Sequence, residues 1–124
     1  MHTALVVDDS KTIRTILART LREIGFEVLE AANGIEALEV IEAAKTTVPL
    51  ILVDWDMPEM NGLELLKRLR QSSELSSMVV VMVTAQTDMA HIEEALEAGA
   101  NEYVMKPFTK DILLGKLELT GIQL

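Results

Sequence analysis

Short apolar runs alternate with helical patterns along the whole chain, and this alternation is the main architectural signal of the sequence. Each run has the length of a short strand, and each is followed by apolar residues spaced three and four apart. Strands that alternate with helices of about 10–15 residues indicate parallel strands joined by right-handed crossovers. The five predicted strands cover residues 4–7, 26–31, 50–53, 78–84 and 102–105.

The helices between these strands carry start and stop signals. Asn33 and Asn61 can cap the second and third helices, with Glu36 and Glu64 three residues on as capping-box partners. The other signals are a cap at Thr109 and helix stops at Gly25 and Gly99. The stripes expected to face inward include Ile35, Leu38 and Ile41 in the second helix and Ile92, Ala95 and Leu96 in the fourth.

Repeated βα units can close either as an open doubly wound sheet or as a barrel. A (βα)8 barrel needs roughly twice this length, so the open sheet is favoured. The predicted fold class is therefore α/β: a doubly wound (βα)5 open parallel sheet, covered by helices on both faces. The 124 residues fit one domain with a single sizeable core, so residues 1–124 are expected to form one unit.

The bulk composition narrows the class of protein. DNA attracts proteins through Lys and Arg, so a net charge of −9 makes this chain a poor nucleic-acid binder by itself. The absence of cysteine excludes disulfide and thiolate chemistry. The longest apolar run, residues 78–83, is too short to cross a bilayer, and the N-terminal residues lack a secretion leader. We therefore expect a cytoplasmic protein without a membrane or nucleic-acid partner.

Reactive side chains follow four of the five predicted strands. Asp8 and Asp9 follow the first, Asp54 the third, Thr84 ends the fourth, and Lys106 follows the fifth. In open α/β sheets, ligands bind beyond the carboxyl ends of the strands. Taken singly, each residue fits a turn, a cap or a solvated loop. Taken together, they place three acids, a hydroxyl and an amine at one edge of the sheet.

That set of groups indicates phosphoryl chemistry. Three crowded carboxylates repel one another, and a hard cation such as Mg²⁺ relieves the repulsion while keeping sites for water and phosphate oxygens. An Asp can attack phosphorus to give an acyl phosphate. A Lys ammonium can neutralise the transferred group, and a Thr hydroxyl can hydrogen-bond to it. The sequence predicts a phosphorylatable Asp54 beside Mg²⁺ or Mn²⁺.

Four quoted segments carry a resemblance to a known family. "VVDDS", "LILVDWDMPEMNG", "VMVTA" and "EYVMKPF" resemble, in order and spacing, the signature segments of response-regulator receiver domains. Within that family the chain is most similar to the single-domain chemotaxis regulators. The resemblance covers essentially the whole chain and implies a flavodoxin-like strand order of 2-1-3-4-5 with no output domain.

The resemblance also implies roles for the acids. Asp54 is the phosphoacceptor, Asp9 a direct metal ligand, and Asp8 an acid that helps to hold the metal through water. The backbone carbonyl of Asp56 completes the protein ligands. Asp56 stands where the chemotaxis regulators carry Asn, so its side chain either acts on the metal and phosphate or points to solvent.

Further residues match the switch positions of the family. Thr84 resembles the switch hydroxyl, Lys106 the phosphate-binding lysine, and Tyr103 the aromatic residue whose rotamer couples to activation. The bond between Lys106 and Pro107 is cis in such proteins. Gln86 replaces an acid of the chemotaxis regulators, and the family tunes self-dephosphorylation at this position and at Asp56.

The resemblance implies protein partners on both sides of the signal. The phosphoryl group comes from a histidine kinase or a histidine phosphotransfer domain. A downstream effector reads the surface of the fourth helix, fifth strand and fifth helix, and the protein is a monomer or a phosphorylation-dependent dimer. Trp55 is expected to pack at the rim of the site, and His91 to be a solvated residue.

Two other functions compete with a phosphorylated signalling switch. The Asp54 and Asp56 pair also resembles the nucleophile motif of haloacid-dehalogenase phosphatases. That motif belongs on the first strand and needs a substrate cap, and the pair Asp8 and Asp9 has no place in it. An unphosphorylated scaffold is disfavoured because no site residue is missing. We therefore predict a two-component regulator whose only chemistry is its own phosphorylation and dephosphorylation, and not an enzyme acting on other substrates.

Overall fold

The predicted alternation of strands and helices is confirmed in the computed structural model, which describes residues 2–44, 48–72, 75, 77–85 and 89–122. Within these residues five strands and five helices follow one another strictly. The elements are β1 (Thr3–Val7), α1 (Lys11–Ile24), β2 (Glu27–Ala31), α2 (Gly34–Ala43), β3 (Leu50–Asp54), α3 (Gly62–Gln71), β4 (Val79–Thr84), α4 (Met89–Glu97), β5 (Glu102–Met105) and α5 (Lys110–Leu119).

The strands form one parallel sheet in the order β2-β1-β3-β4-β5, as the resemblance implied. Side chains of β3 alternate between two apolar cores, because successive residues of a strand point to opposite faces. Leu50 and Leu52 face a core that α1 and α5 cover, whereas Ile51 and Val53 face a core that α2, α3 and α4 cover. All four are fully buried. The central strand is thus held rigidly on both faces.

Most of the predicted helix boundaries are also observed. Asn33 accepts a hydrogen bond from the Glu36 N–H at 2.8 Å, and Asn61 accepts one from the Glu64 N–H at 2.9 Å. Within the described residues, only Asn61 completes the capping box, because the Glu64 side chain accepts from the Asn61 N–H. The predicted Thr109 cap of α5 is confirmed. Helix α1 ends at the predicted glycine, which has a left-handed φ of 119°.

The prediction of which helix residues face the core was only partly right. Ile35 and Leu96 were expected to face the core, but they are 47% and 43% exposed. Each lies next to a residue that is covered, since Gly34 and Ala95 are buried. A helix that lies on a flat sheet buries a stripe of limited width, so apolar residues at its margin stay in solvent.

None of the helices in the described ranges combines the length and the apolar character that a bilayer span requires.

Gly62, the first residue of α3, lets the start of this helix lie close to the backbone of Asp54 and Trp55. A Cβ on Gly62 would overlap the Asp54 carbonyl oxygen and lie 3.0 Å from Trp55 Cα. We expect Gly62→Ala to lower the free energy of unfolding by about 2 kcal/mol, because rigid backbone cannot yield to the added methyl group. Urea denaturation measures this.

Gly115 provides the matched control for that substitution. It also lies within a helix, but a Cβ there meets nothing within 4 Å. Gly115→Ala is expected to raise the free energy of unfolding by about 1 kcal/mol through helix propensity. If both variants changed stability in the same direction, the tight contact at Gly62 would be contradicted.

Candidate functional site

The reactive side chains named from the sequence meet at one edge of the sheet. Asp54 is the last residue of β3, and Thr84 is the last residue of β4. Asp8 and Asp9 follow β1, which lies beside β3, while Lys106 follows β5. The chain crosses in opposite directions from β1 and from β3, so this edge is the switch point where open α/β sheets bind ligands.

Three carboxyl groups form the centre of the site. Oxygen atoms of Asp8, Asp9 and Asp54 all lie within 4.8 Å of one another. Asp8 is 1% exposed and Asp54 5% exposed, whereas Asp9 is exposed. Two buried carboxylates and one accessible carboxylate therefore face a common point that is reachable from solvent.

Lys106 supplies the positive charge that faces this cluster. Its Nζ lies 3.1 Å from Asp54 Oδ1 and 3.3 Å from Asp8 Oδ2, so one ammonium donates to both buried acids. Its backbone N–H donates to the Thr84 carbonyl at 2.8 Å, which ties the residue to the end of β4. The peptide bond from Lys106 to Pro107 is cis, as the resemblance implied.

Burial and the neighbouring charges together shift the pKa of Asp54 and that of Lys106. Burial first, and then the charge of Asp8, raises the pKa of Asp54 above its usual value. Lys106 and the backbone N–H of Asp56 act in the opposite direction without cancelling that effect. Burial would lower the pKa of Lys106, but hydrogen bonds to the two acids and their charges outweigh it, so this pKa is raised. One ammonium does not fully compensate the carboxylates, and a further cation would.

The remaining predicted positions are placed as follows. Thr84 is buried at 3% exposure, on the strand next to Asp54. Tyr103 is half-buried on β5, with Lys116 Nζ 4.2 Å from its ring centroid. The Asp56 side chain is exposed, and among the described residues it is not part of the carboxylate cluster. This placement favours the solvent-facing alternative for that acid. Gln86 lies outside the described residues.

His91 corrects one expectation from the sequence. It was expected to be solvated, but its ring stacks on Trp55 with a centroid distance of 4.8 Å and an interplanar angle of 25°. Its Nδ1 is buried and has no hydrogen-bond partner among the described residues. Helical position alone gave no signal of this contact, because the stacking depends on where α4 crosses the end of β3. The only tryptophan of the chain therefore reports on α4 as well as on the site.

The sequence also gave no signal of two residues that hold the acidic loop, the segment after β1 that contains Asp8 and Asp9. Arg14 Nη1 donates to the Asp8 carbonyl oxygen at 2.7 Å, and the Ser10 N–H donates to Asp8 Oδ1 at 2.9 Å. Ser10 is also the N-cap of α1, through a 3.3 Å bond from the Ile13 N–H. From periodicity, Arg14 looks like an ordinary charged position on the outer face of a helix.

Comparison with known proteins agrees with this geometry. The sequence model of the response regulator receiver domain matches residues 4–118. The chain belongs to this family, and it is a receiver domain of the kind used in two-component phosphorelay signalling.

Its relatives include chemotaxis regulators. The chain is 47% identical over 116 residues to chemotaxis protein CheY1 of Helicobacter pylori, with 93% of each chain covered. It is 45% identical to the chemotaxis protein CheY homolog of Campylobacter jejuni, covering 92% of this chain and 88% of that one. The structure of CheY4 of Vibrio cholerae matches with a TM-score of 0.88 at 35% identity, covering 97% of this chain and 98% of that chain. The chain is thus similar to CheY-type regulators in sequence and in fold.

Proposed function

We propose that this receiver domain is a phospho-switch that accepts a phosphoryl group on Asp54 from a histidine kinase or a histidine phosphotransfer domain. The observation that carries the proposal is the buried Asp54 carboxylate, which shares Lys106 with Asp8 at the switch point of the sheet. Membership of the family supports a regulator over the haloacid-dehalogenase-like phosphatase, and so does the place of Asp54 on the third strand and not the first.

The proposed reaction is an in-line displacement at phosphorus. One Asp54 oxygen attacks the phosphorus atom of a phosphohistidine, and a P–O bond forms as the P–N bond breaks. The bonding electron pair leaves with the imidazole, which takes up a proton. Lys106, 3.1 Å from Asp54, neutralises charge on the transferred group, and the Thr84 hydroxyl is the proposed hydrogen-bond donor to it.

The donor set fits a hard divalent cation. Asp8, Asp9 and Asp54 offer clustered carboxylate oxygens, and oxygen is the ligand that Mg²⁺ and Mn²⁺ prefer. We propose Asp9 and Asp54 as direct ligands together with the backbone carbonyl of Asp56, and Asp8 as a ligand through water. When bound, the cation would offset the negative charge that accumulates during phosphoryl transfer.

The proposed output passes through Tyr103 to a surface on α4, β5 and α5. Met105 and Ile112 are 42% and 50% exposed there, which supports an apolar contact with an effector protein. Tuning of the phosphoryl lifetime by Asp56 and Gln86, and a phosphorylation-dependent dimer as opposed to a monomer, stay predictions.

The function is tested by incubating the protein with acetyl phosphate and Mg²⁺ while intact mass and Trp55 fluorescence are followed. We expect one phosphoryl adduct, a fluorescence change of the same time course, and loss of both in EDTA. A protein that forms no adduct under these conditions would contradict the phospho-switch. Continuous turnover of free phosphomonoesters would support the phosphatase.

A further inference from the structure

Arg14 contacts the backbone of the acidic loop and takes no part in the carboxylate cluster of Asp8, Asp9 and Asp54. It lies on the second turn of α1, and its Nη1 reaches back to the Asp8 carbonyl oxygen at 2.7 Å. Its side chain is only 15% exposed, and its Nε lies 3.4 Å from the Glu30 carboxylate on β2. The guanidinium therefore joins three elements: the loop, the helix and the edge strand.

The Asp8 carbonyl belongs to the peptide that links Asp8 to Asp9. Because a peptide unit is planar, fixing its oxygen atom fixes the backbone direction of both acids at once. The other polar groups of Asp8 are already held: its N–H donates to the Ala31 carbonyl at 3.1 Å, and its Oδ1 accepts from the Ser10 N–H. Arg14 holds the remaining backbone polar group of Asp8, its carbonyl.

The shape of the guanidinium suits this task. Its N–H groups lie in one plane, so a bond from Nη1 to the carbonyl and a pairing of Nε with Glu30 are compatible with a single rotamer. Glu30 is 37% exposed in this pair, and exposed ion pairs add little stability by themselves. The contact of Arg14 with Glu30 is therefore better explained as orienting the guanidinium than as stabilising the fold.

We propose that Arg14 is a positioning residue for the acidic pair: it fixes the peptide between Asp8 and Asp9 so that their carboxylates converge with Asp54, and Glu30 orients it. This inference rests on the proposed cation site. It adds a residue that touches neither the cation nor the phosphoryl group and acts only through the backbone of the loop.

Isothermal titration of the metal-free protein with Mg²⁺ tests the inference, with Trp55 emission as a second readout. Residues that orient metal ligands typically change metal affinity by about 10–100-fold when they are replaced. We expect Arg14→Met to weaken Mg²⁺ binding by about tenfold, at the lower end of that range. Arg19→Met, an exposed arginine on the same helix, is the matched control and should leave Mg²⁺ binding unchanged.

Two further variants separate the effect of the guanidinium geometry of Arg14 from the effect of its charge. Arg14→Lys keeps the charge but loses the planar fork, so it should bind Mg²⁺ as weakly as Arg14→Met. Glu30→Gln keeps Arg14 but loosens its orientation, so it should weaken binding by a smaller factor. Far-UV circular dichroism checks that each variant is folded.

Several outcomes would overturn the inference while leaving the proposed function intact. They are wild-type affinity in Arg14→Met, full rescue by Arg14→Lys, or an equal loss in Arg19→Met. Failure of the wild-type protein to bind Mg²⁺ would instead remove the cation site itself, and the inference with it.

Discussion

Asp54→Asn is expected to take up no phosphoryl group from acetyl phosphate and, in the absence of divalent cations, to be more stable than the wild-type protein. The first result follows because an amide oxygen is too weak a nucleophile to form an acyl phosphate. The second follows because two buried carboxylates share the single ammonium of Lys106. Removing one charge leaves a balanced pair with Asp8, and we expect a gain of about 1 kcal/mol at neutral pH.

The pH dependence of this gain has a defined sign. The pKa of Asp54 is raised in the folded protein, so the unfolded chain ionises this group more readily. The folded protein favours protonated Asp54, and the stability that this gives is fully present below the ordinary Asp pKa of about 4. It is lost as the pH rises through the raised pKa of Asp54 in the folded protein. The advantage of Asp54→Asn over the wild type should therefore be small in acid and grow toward neutral pH. Urea denaturation at a series of pH values, in EDTA, measures it.

Asp56→Asn is the control for both parts of this prediction. Asp56 is an acid only two positions away, but its side chain is exposed. The control should still form the phosphoryl adduct and should unfold at the wild-type urea concentration. A phosphoryl adduct on Asp54→Asn would show that Asp54 is not the phosphoacceptor. Equal stabilisation of the two variants would show that the charge of Asp54 does not destabilise the fold.

Lys106→Met is expected to have the opposite effect on stability. Without the ammonium, Asp8 and Asp54 face each other uncompensated. Loss of one partner from a fully buried ion pair costs about 3–5 kcal/mol. Because the Lys106 side chain is 26% exposed, we expect a smaller loss of about 2 kcal/mol in EDTA. Saturating Mg²⁺ should shrink the loss, since the cation would compensate the same carboxylates.

The same variant should slow phosphorylation. Removing one group that stabilises developing charge typically costs about 100-fold in rate, and Lys106 donates directly to the proposed nucleophile. Intact-mass spectrometry over time with acetyl phosphate measures the rate. The raised pKa of Lys106 keeps this residue charged throughout the neutral range, so the comparison is made at pH 7.

Lys116→Met is a closely matched control. The Lys116 side chain is likewise 26% exposed, and it pairs with a single acid, Glu102, at 3.4 Å. It lies on α5, and it is not paired with the acids of the site. We expect it to change stability by less than about 1 kcal/mol, with no dependence on Mg²⁺. A loss of stability in Lys106→Met that Mg²⁺ leaves unchanged would contradict the shared-charge description.

The fold class and the site were predictable because they depend on local patterns. Alternating apolar runs and helical spacing indicate a parallel sheet, and the carboxyl ends of parallel strands must meet at one edge. That argument brought Asp8, Asp54 and Lys106 together before any distance was known. The strand order did not follow from the pattern, because alternation alone does not tell which strands are neighbours. It came from the family resemblance carried by the quoted segments.

Contacts that depend on how elements cross were not predictable. Arg14 and His91 occupy helical positions whose spacing suggests a solvated face, yet Arg14 reaches back to a loop and His91 stacks on Trp55. Their partners are distant in sequence or lie on another element, so no local signal distinguishes them. In the same way, periodicity gives the direction of a stripe but not its width, which is why Ile35 was assigned to the core.

The backbone around Asp54 has a consequence for how such a protein can diversify. The Trp55 N–H donates to the Val83 carbonyl at 2.9 Å, its carbonyl accepts from the Gly62 N–H at 2.9 Å, and β3 is buried on both faces. Asp54, the proposed phosphoacceptor, is therefore held on a rigid strand, whereas substitutions at exposed residues of the outer helices need not disturb it. Substitutions on the exposed faces of the helices can therefore change which proteins bind, while the backbone that positions Asp54 stays the same.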